Sequence, residues 1–361
     1  MTYTGIDFET YGSRNLPKVG LDNYVTDPQF RPLICSVAYR DYKRNVRLKT
    51  FDFVSRAYKD QHLQEFEMFM CNDPNITFSA HNAGFERAVL QRMNIHLRAD
   101  RFIDSAVIAR IMGADSHLEN AAPQLLGVDK LEQGKNLILK FSIPRENGTA
   151  LVDDPNWDST TDPDWVLFIE YCERDALLSL LFAEKYGEEL GTINEQVYEP
   201  ITARMNQAGW RVDLDTVRAM LDRSEFNKDE ALALFRQKYD PEGKLNLNSL
   251  KQLKEWCKAR GISASSFNEE HVNKLIEKIE SKIASDPDLT FDQEQIYTEV
   301  LHMLETKRSI GGSSLKKLPV IRDLVGEDGR LRNQYMHCGA GQTYRTSGTG
   351  VQMQNLKRLS T

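Results

Sequence analysis

The stretch GIDFETYG occupies residues 5–12 and holds two carboxylates, Asp7 and Glu9, two positions apart. The β-branched and aromatic residues around Asp7 predict a strand over residues 3–8. Side chains alternate between the two faces of a strand, so both acids point the same way. On an exposed face such a pair means little, but on a covered face it indicates a site that gathers negative charge.

The elements around this strand are typical of an α/β domain followed by a helical region. Further strands are predicted for residues 33–39, 47–53 and 76–79, and helices near 61–71, 84–94, 104–112 and 163–187. Strands that come first and then alternate with helices indicate an α/β fold. After about residue 188 amphipathic segments predict helices over 195–209, 214–239, 245–261, 268–283 and 291–309. We predict a surface loop over 153–164, and a Gly- and Ser-rich break at 310–319 precedes a short polar tail.

Composition restricts the class of protein. The chain has 361 residues, of which 40% are hydrophobic and 27% charged, as in ordinary globular proteins with two or three domains. It holds no run of about 18 apolar residues and no cationic-then-apolar leader, so we expect neither a membrane span nor secretion. The five cysteines are widely spaced and form no CxxC pair, so reduced thiols in a cytoplasm are expected.

Charge is distributed unevenly along the chain. The formal net charge is −7, which taken alone argues against nucleic acid. Residues 301–361 hold ten Lys and Arg against four Asp and Glu, a local charge of +6, and the first 300 residues therefore carry −13. A basic C-terminal segment can meet phosphates, and an acid-rich body can hold cations.

Three further segments, at 80–90, 102–110 and 171–180, also carry acids, and the second of them contains Asp104 at a predicted helix cap. Glu86 lies at the start of a predicted helix, and Tyr171 and Asp175 are four residues apart on one helical face. An α/β fold can bring Asp7, Glu9, Glu86 and Asp175 together, although two like charges about 4 Å apart cost roughly 4 kcal/mol at an effective dielectric near 20. Hard oxygen ligands without His or Cys favour Mg²⁺ or Mn²⁺, and two such ions suit phosphoryl transfer.

The ordered motifs DFE (7–9), NAGFE (82–86) and YCERD (171–175) resemble the signature of the tyrosine-type DEDD 3′–5′ exonucleases. That resemblance implies an RNase H-like fold and two divalent ions, Mg²⁺ or Mn²⁺. It makes Asp7 the ligand shared by both ions, and Glu9 and Asp175 the ligands of the ion that carries the attacking water. Glu86 stands where the family has Asp and would support the other ion, while Tyr171 would orient the water. For Asp104 we expect a structural helix cap rather than a ligand.

The tail, residues 328–358, resembles the segment with which family A DNA polymerases enter the palm, and looks most like the bacteriophage branch. The matching residues are Gly329, Arg330, Gly339, Ala340, Thr343, Arg345, Ser347, Gln354, Asn355, Leu356 and Arg358, with departures at Tyr344 and Lys357. Segments at 206–217, 247–262 and 306–318 resemble the thumb region of the same family. The resemblance therefore extends over nearly the whole chain.

Two groups of residues are candidates for DNA binding. Arg345, Gln354, Asn355 and Arg358 offer donors suited to phosphate and minor-groove acceptors. Lys307, Arg308, Lys316 and Lys317 form a basic stretch, which a merely solvated helix face would equally explain. In the exonuclease motifs, Asn82 and Phe85 are the candidates for contact with a DNA strand.

The resemblance implies a proofreading 3′–5′ exonuclease domain over 1–188, a helical thumb-like region over 189–325, and the start of a polymerase palm over 326–361. The expected partners are a DNA 3′ end, a primer–template duplex, and palm and fingers regions, with no membrane. The palm, fingers and HDE-like motifs of a polymerase are absent from this sequence, so we expect no polymerisation by this chain alone, whether it is a fragment or half of a split enzyme. The expected location is the cytoplasm, that of the host if a phage encodes the chain.

Two alternatives remain open. A free-standing RNA exonuclease of the RNase D type would share the carboxylate motifs and also carries a helical domain. A weakly catalytic single-stranded DNA-binding module would instead depend on stacking aromatics, for which Phe8, Tyr11 and Phe85 are candidates.

Overall fold

The computed structural model describes residues 2–131, 134–311, 317–341 and 343–355. The chain divides into two compact units. The first unit contains the described residues of 2–212 together with those of 323–355, and the second contains the described residues of 213–322. These limits differ from the predicted boundaries at 188 and 325. The predicted boundaries separate functional regions rather than compact units, and they stay a prediction.

A mixed five-stranded sheet forms the centre of the first unit. Its strands are β1 (Thr2–Tyr11), β2 (Arg31–Arg40), β3 (Val46–Asp52), β4 (Ile76–Ala80) and β5 (Phe102–Asp104). The strand order is β3-β2-β1-β4-β5, with antiparallel pairing of β3, β2 and β1, and parallel pairing of β1, β4 and β5. The acid-bearing strand β1 is therefore central and has a neighbour along both edges.

Helices cover both faces of this sheet. They are α1 (Leu16–Val25), α2 (Lys59–Asn72), α3 (Gly84–Arg92), α4 (Ser105–Ile111), α5 (Leu118–Leu126), α6 (Gly134–Phe141), α7 (Pro163–Tyr186) and α8 (Leu190–Ala208). Ile6 and Phe8 of β1 belong to a core that also contains residues of α1, α2 and α3. Tyr3 and Tyr11, on the opposite face of β1, pack in two further cores with residues of α7.

The burial of two aromatic side chains on β1 corrects the expectation that they stack on a single DNA strand. Phe8 and Tyr11 are only 4% and 1% exposed, because each packs in a hydrophobic core beside the sheet. Neither ring offers a face to a nucleic-acid base, so the prediction that they stack on a single strand is wrong.

The segment 323–355 folds onto the first unit. Strand β6 (Trp210–Arg211) pairs with β7 (Arg330–Leu331), and β8 (Tyr335–Met336) pairs with β9 (Ser347–Gly348). The side-chain amide of Asn23 donates to the carbonyls of Asp323 and Val325, both at 3.2 Å. These contacts join residues some 300 positions apart in the chain.

Four helices build the core of the second unit: α9 (Leu214–Tyr239), α10 (Leu250–Ala259), α11 (Glu269–Ser285) and α12 (Phe291–Gly311). Side chains of Asp213, Ser249 and Asn268 cap the first three, each accepting from a backbone N–H inside the first turn. Helix α13 (Lys317–Leu324) follows. No described helix is long and apolar enough to cross a membrane.

The sheet flanked by helices and the helix-rich region after it confirm the coarse fold prediction. All four predicted strands exist, and α9 matches its predicted limits. The sequence did not predict strand β5 of the central sheet or the helices α1, α5, α6 and α13. Strand β5 has only three residues, α1 is interrupted at Gly20 (φ 76°), and α5 contains Pro123, so these three elements lack a clear periodic signal.

Candidate active site

Asp7 and Glu9 lie on the face of β1 that α7 covers. Asp7 is half-buried and Glu9 is 8% exposed. The register pairs Asp7 with Ser36 and Glu9 with Ile34 of β2, and a bulge follows Glu9. The two acids thus sit on a rigid central strand rather than on a loop, which holds their carboxylates in place.

Helix α7 approaches β1 unusually closely, and Gly5 allows it. A Cβ atom at Gly5 would lie 1.9 Å from the carbonyl oxygen of Ala176 and 2.7 Å from the backbone nitrogen of Leu180. The thiol of Cys172 also donates to the carbonyl of Asp7 at 3.4 Å. Because β1 and α7 touch through backbone, Asp175 comes within electrostatic range of Asp7.

Glu86 reaches the same site from the first turn of α3. Its side chain is 2% exposed and interacts electrostatically with both Asp7 and Glu9. Asp104, by contrast, caps α4: its Oδ1 accepts from the N–H groups of Ala106 at 2.9 Å and Asn82 at 3.0 Å. The predicted cap is confirmed.

Burial and mutual repulsion act together on these acids. Burial raises the pKa of Glu86 well above its usual value, and the charge on Asp7 adds to this effect. The pKa values of Asp7 and Glu9 are raised well above the ordinary range by burial and by their acidic neighbours, and burial also raises the pKa of Asp175. The cluster is thus unfavourable as four bare anions.

One basic side chain that sequence reasoning missed relieves part of this repulsion. The Nζ atom of Lys130 lies 2.7 Å from Asp175 Oδ2 and 4.7 Å from the centroid of the Tyr171 ring. Its pKa is raised by Asp175 and Tyr171 against the opposing effect of burial. Lys130 lies in the segment between α5 and α6, and no spacing in the sequence marks it.

A glycine positions the tyrosine. A Cβ atom at Gly134 would lie 2.2 Å from Cε2 and 2.5 Å from Cζ of Tyr171, so the ring packs directly on the start of α6. Burial raises the pKa of Tyr171 strongly, and its phenol therefore stays protonated at neutral pH. Burial raises the pKa of Asp175, whereas Lys130 and Tyr171 act to lower it.

Unsatisfied oxygens show whether the acids suit a divalent cation. Glu86 Oε2 and Asp175 Oδ1 are buried and have no hydrogen-bond partner. A buried anionic oxygen without a partner is costly, and a hard cation would remove that cost. The four carboxylates fit Mg²⁺ or Mn²⁺ on this ground. The four carboxylates do not surround one ion as a closed set. Among the described residues, the ligand-type side chains that bring three ligand atoms within 4.8 Å of one another are instead Glu195, His337 and Cys338.

Comparison with known proteins finds a DNA polymerase among the proteins similar to this chain. The chain is 26% identical to a DNA polymerase of Bacillus phage SP02 over 363 aligned residues, which cover 99% of this chain and 51% of that protein. The chain is thus similar to a phage DNA polymerase over about half of that protein's length. No protein-family model matches it.

The fold of the chain also resembles a solved polymerase structure. The POL domain of Pol1 from M. smegmatis, solved in complex with DNA primer-template and dNTP, superposes with a TM-score of 0.58 at 15% identity. The match covers 99% of this chain and 53% of that one, so the chain spans about half the length of both proteins.

The two residues near the carboxylates that are predicted to contact DNA differ in exposure. Asn82 is exposed and adopts a left-handed conformation with φ 66°. Phe85 is half-buried, and its ring centroid lies 6.5 Å from that of Tyr24 at the edge of a hydrophobic core. Both adjoin Glu86 in the chain, and their contact with DNA stays a prediction.

The other predicted DNA contacts lie in the basic part of the chain. Lys307 is half-buried and donates to Asn248 Oδ1 at 3.3 Å, Arg308 is exposed, and Lys317 is half-buried. Lys316 and Arg358 lie outside the described residues.

Within the tail, Arg345, Gln354 and Asn355 are exposed. The amide of Gln354 packs on Gly348, where a Cβ atom would lie 1.9 Å from its Nε2. Exposure leaves these polar groups accessible to a ligand, and their contact with DNA also stays a prediction.

Proposed function

We propose that this chain carries a proofreading 3′–5′ exonuclease of a phage-type family A DNA polymerase, which removes nucleotides from DNA 3′ ends. The observation that carries the proposal is the convergence of four acids from β1, α3 and α7, two of which present buried oxygens without a partner. The mixed sheet supports the RNase H-like assignment, and the relationship to a phage DNA polymerase supports DNA as the substrate.

In this proposal Asp7, Glu9, Glu86 and Asp175 hold two Mg²⁺ or Mn²⁺ ions, which would activate a water molecule and stabilise charge on the leaving 3′ oxygen. Asp7 would be the ligand shared by both ions, Glu9 and Asp175 would hold one ion, and Glu86 would hold the other. Tyr171, whose raised pKa keeps its phenol protonated, would donate a hydrogen bond that orients the attacking water. Gly134 fixes the ring of Tyr171, and Lys130 holds the carboxylate of Asp175.

The chemistry favours an unpaired strand. A terminal nucleotide must leave its stack to enter a site flanked by helices, and unstacking costs least at a mismatched or single-stranded end. The basic residues of the thumb-like region and the tail would bind the primer–template duplex, while the palm and fingers are the proposed partners of this chain in polymerisation.

The test compares hydrolysis of one sequence as single-stranded DNA, as a duplex with a matched or mismatched 3′ end, and as RNA, in Mn²⁺ or Mg²⁺. We expect single-stranded and mismatched DNA ends to be degraded faster than matched ends and RNA. Asp7→Ala should slow cleavage at least about 100-fold, because it removes the ligand shared by both ions. Asp215→Ala, at an exposed acid of α9, is the control.

Two outcomes would count against the proposal. Undiminished cleavage by Asp7→Ala would show that the carboxylate cluster is not the active site. RNA digestion as fast as DNA digestion would favour the free-standing RNA exonuclease instead.

A further inference from the structure

A second cluster of metal-ligating side chains lies where the C-terminal segment meets α8, apart from the four acids. It consists of Glu195 on α8 and the consecutive residues His337 and Cys338, just after β8. The ligand atoms of all three lie within 4.8 Å of one another. We propose that Glu195, His337 and Cys338 form a site for a borderline-soft divalent ion such as Zn²⁺, which fastens the segment 323–355 to α8.

The distances in the cluster are close to those of a tetrahedral zinc site. Glu195 Oε2 lies 3.0 Å from His337 Nε2 and 3.4 Å from Cys338 Sγ. With ordinary Zn–N, Zn–O and Zn–S bond lengths, the corresponding edges of a tetrahedron are about 3.4 Å and about 3.6 Å. Adjustments of a few tenths of an ångström would admit the ion, and the fourth position would be left to water.

The imidazole is already oriented as a zinc ligand. Its Nδ1 lies 3.2 Å from the hydroxyl of Thr202, a buried residue on α8, while its Nε2 faces Glu195. An outer hydrogen bond that fixes the ring and leaves the other nitrogen to the ion is the usual arrangement for metal-binding histidine. The side chain of His337 is only 9% exposed, so its two nitrogens have little access to water.

The backbone also favours a site here. Cys338 adopts φ 52°, a left-handed conformation that residues other than glycine seldom take, and such strain concentrates at functional sites. This turn brings two successive side chains to the same carboxylate. Cys338 is fully buried, in a region where Glu195 and Asp104 contribute negative charge and Arg110 positive charge.

The chemistry differs from that of the four acids. Thiolate, imidazole and carboxylate together suit Zn²⁺ and related transition ions, whereas a set of carboxylates alone suits Mg²⁺ or Mn²⁺. Burial and the bond to Glu195 raise the pKa of the free Cys338 thiol to about 12, so uptake of the ion transfers the thiol proton to solvent as the S–metal bond forms. The proposed role is structural and independent of exonuclease activity.

The test is titration of the purified chain with Co²⁺, followed by absorption spectroscopy. A thiolate ligand gives a sulfur-to-cobalt charge-transfer band in the near ultraviolet, which carboxylate ligands at the other site cannot produce. We expect this band with one Co²⁺ per chain and its loss on addition of Zn²⁺. Cys338→Ser should abolish the band, and Cys71→Ser, at an exposed cysteine, should leave it unchanged.

Two further variants extend the test, one at the proposed ligand Glu195 and one at Thr202, which positions His337. Glu195→Gln should weaken Zn²⁺ binding, measured by competition with a chromophoric chelator, at least about 10-fold, and Thr202→Val should weaken it about 10- to 100-fold while keeping the band. Both replacements are close in shape, and circular dichroism checks that the variants fold. Absence of the band in the folded wild-type chain, or its persistence in Cys338→Ser, would overturn the proposal. Glu195, His337 and Cys338 would then be a hydrogen-bonded cluster that binds no metal.

Discussion

Glu86 is the residue at which this chain departs from the acid pattern of the DEDD exonucleases that its motifs resemble. Its buried oxygen Oε2 has no partner, and its pKa is raised well above the usual range by burial and by Asp7. A merely structural acid at the start of a helix would instead be worth about 0.3–1 kcal/mol through the helix dipole. The geometry therefore favours a role in the proposed chemistry.

Glu86→Gln separates these two roles. Glutamine has the shape of a protonated glutamate, so we expect the fold to persist and the single-turnover rate on a short DNA strand to fall at least about 100-fold. DNA binding, measured in Ca²⁺, should stay within a few-fold of wild type. The matched variant Glu86→Asp keeps the charge and retracts it by one methylene, so it should lose less activity. A normal rate for Glu86→Gln would assign the chemistry to the remaining three acids.

Lys130 competes with a cation for Asp175. Replacement by Met keeps much of the side-chain volume and removes the charge, so we expect Lys130→Met to bind Mn²⁺ roughly tenfold more tightly. In the absence of divalent ions the same variant should be less stable by about 1–3 kcal/mol, because Asp175 loses its buried partner. Calorimetric titration and thermal unfolding in EDTA measure the two effects.

The control for this prediction is Lys140→Met. Lys140 pairs with Asp162 and Asp164, neither of which belongs to the carboxylate cluster. It should leave the affinity for Mn²⁺ unchanged. Equal Mn²⁺ affinity in wild type and Lys130→Met would mean that Lys130 moves aside at no cost.

At the scale of elements, the site depends on how closely α7 packs on β1 and how α3 is held. The absence of a side chain at Gly5 allows backbone contact between β1 and α7. On α3, the residue after Glu86 is Arg87, which forms a half-buried ion pair with Glu199 of α8 at 2.6 Å. Helices that carry functional side chains are thus fixed by contacts outside the site.

Gly5→Ala tests the close packing of β1 and α7. The added methyl group would collide with backbone atoms of α7, which cannot rotate away, so we expect a loss of about 1–3 kcal/mol in stability. Exonuclease activity should fall as well, because α7 carries Tyr171 and Asp175. Gly84→Ala is the matched control, since a Cβ atom there meets nothing within 4 Å. Equal melting temperatures for the two variants would contradict this account of the packing.

At the scale of the whole molecule, part of the negative charge is concentrated in the buried carboxylate cluster, where the ionised form is unfavourable unless a cation is bound. The net charge of −7 includes four clustered acids whose pKa values are all raised in the folded state. Groups of this kind stabilise the fold when protonated. Their contribution is fully present below their unfolded pKa values of about 4 and is lost as pH rises through the raised folded values.

The raised pKa values of these acids predict that the folded protein loses stability as the pH rises. In EDTA, Asp7→Asn should be more stable than wild type at pH 8, and the difference should shrink as the pH is lowered toward about 4. Saturating Mn²⁺ should reverse the order at pH 8, because only the wild type binds the ion fully. Thermal unfolding at several pH values, with and without Mn²⁺, measures both effects.

Asp154→Asn serves as the control, since its pKa is lowered by the N–H of Asn156 and by Arg145. Its stabilising effect is lost only as pH falls below about 4, so this variant should show a constant difference from wild type between pH 5 and 8. A constant difference for Asp7→Asn over the same range would show that the cluster is not repulsive in the folded protein.

Much of the fold and of the carboxylate site could be predicted from the sequence alone. Alternation in β1 places Asp7 and Glu9 on one face, and helical spacing places Tyr171 and Asp175 together, because both patterns depend only on local backbone geometry. Long amphipathic helices such as α9 were predictable for the same reason. Short or interrupted elements, such as β5 and α1, were not, since too few residues repeat.

Only the tertiary structure shows what lies beside these residues. Lys130 reaches Asp175 across 45 positions, Gly134 meets the ring of Tyr171, and Glu195 lies beside Cys338 across 143 positions. Such contacts depend on how whole elements pack, and packing follows the summed burial of many side chains rather than any local period. Local sequence patterns are thus enough to identify the acids of the site. Their partners, and the second cluster in the C-terminal segment, depend on long-range packing and are seen only in the folded chain.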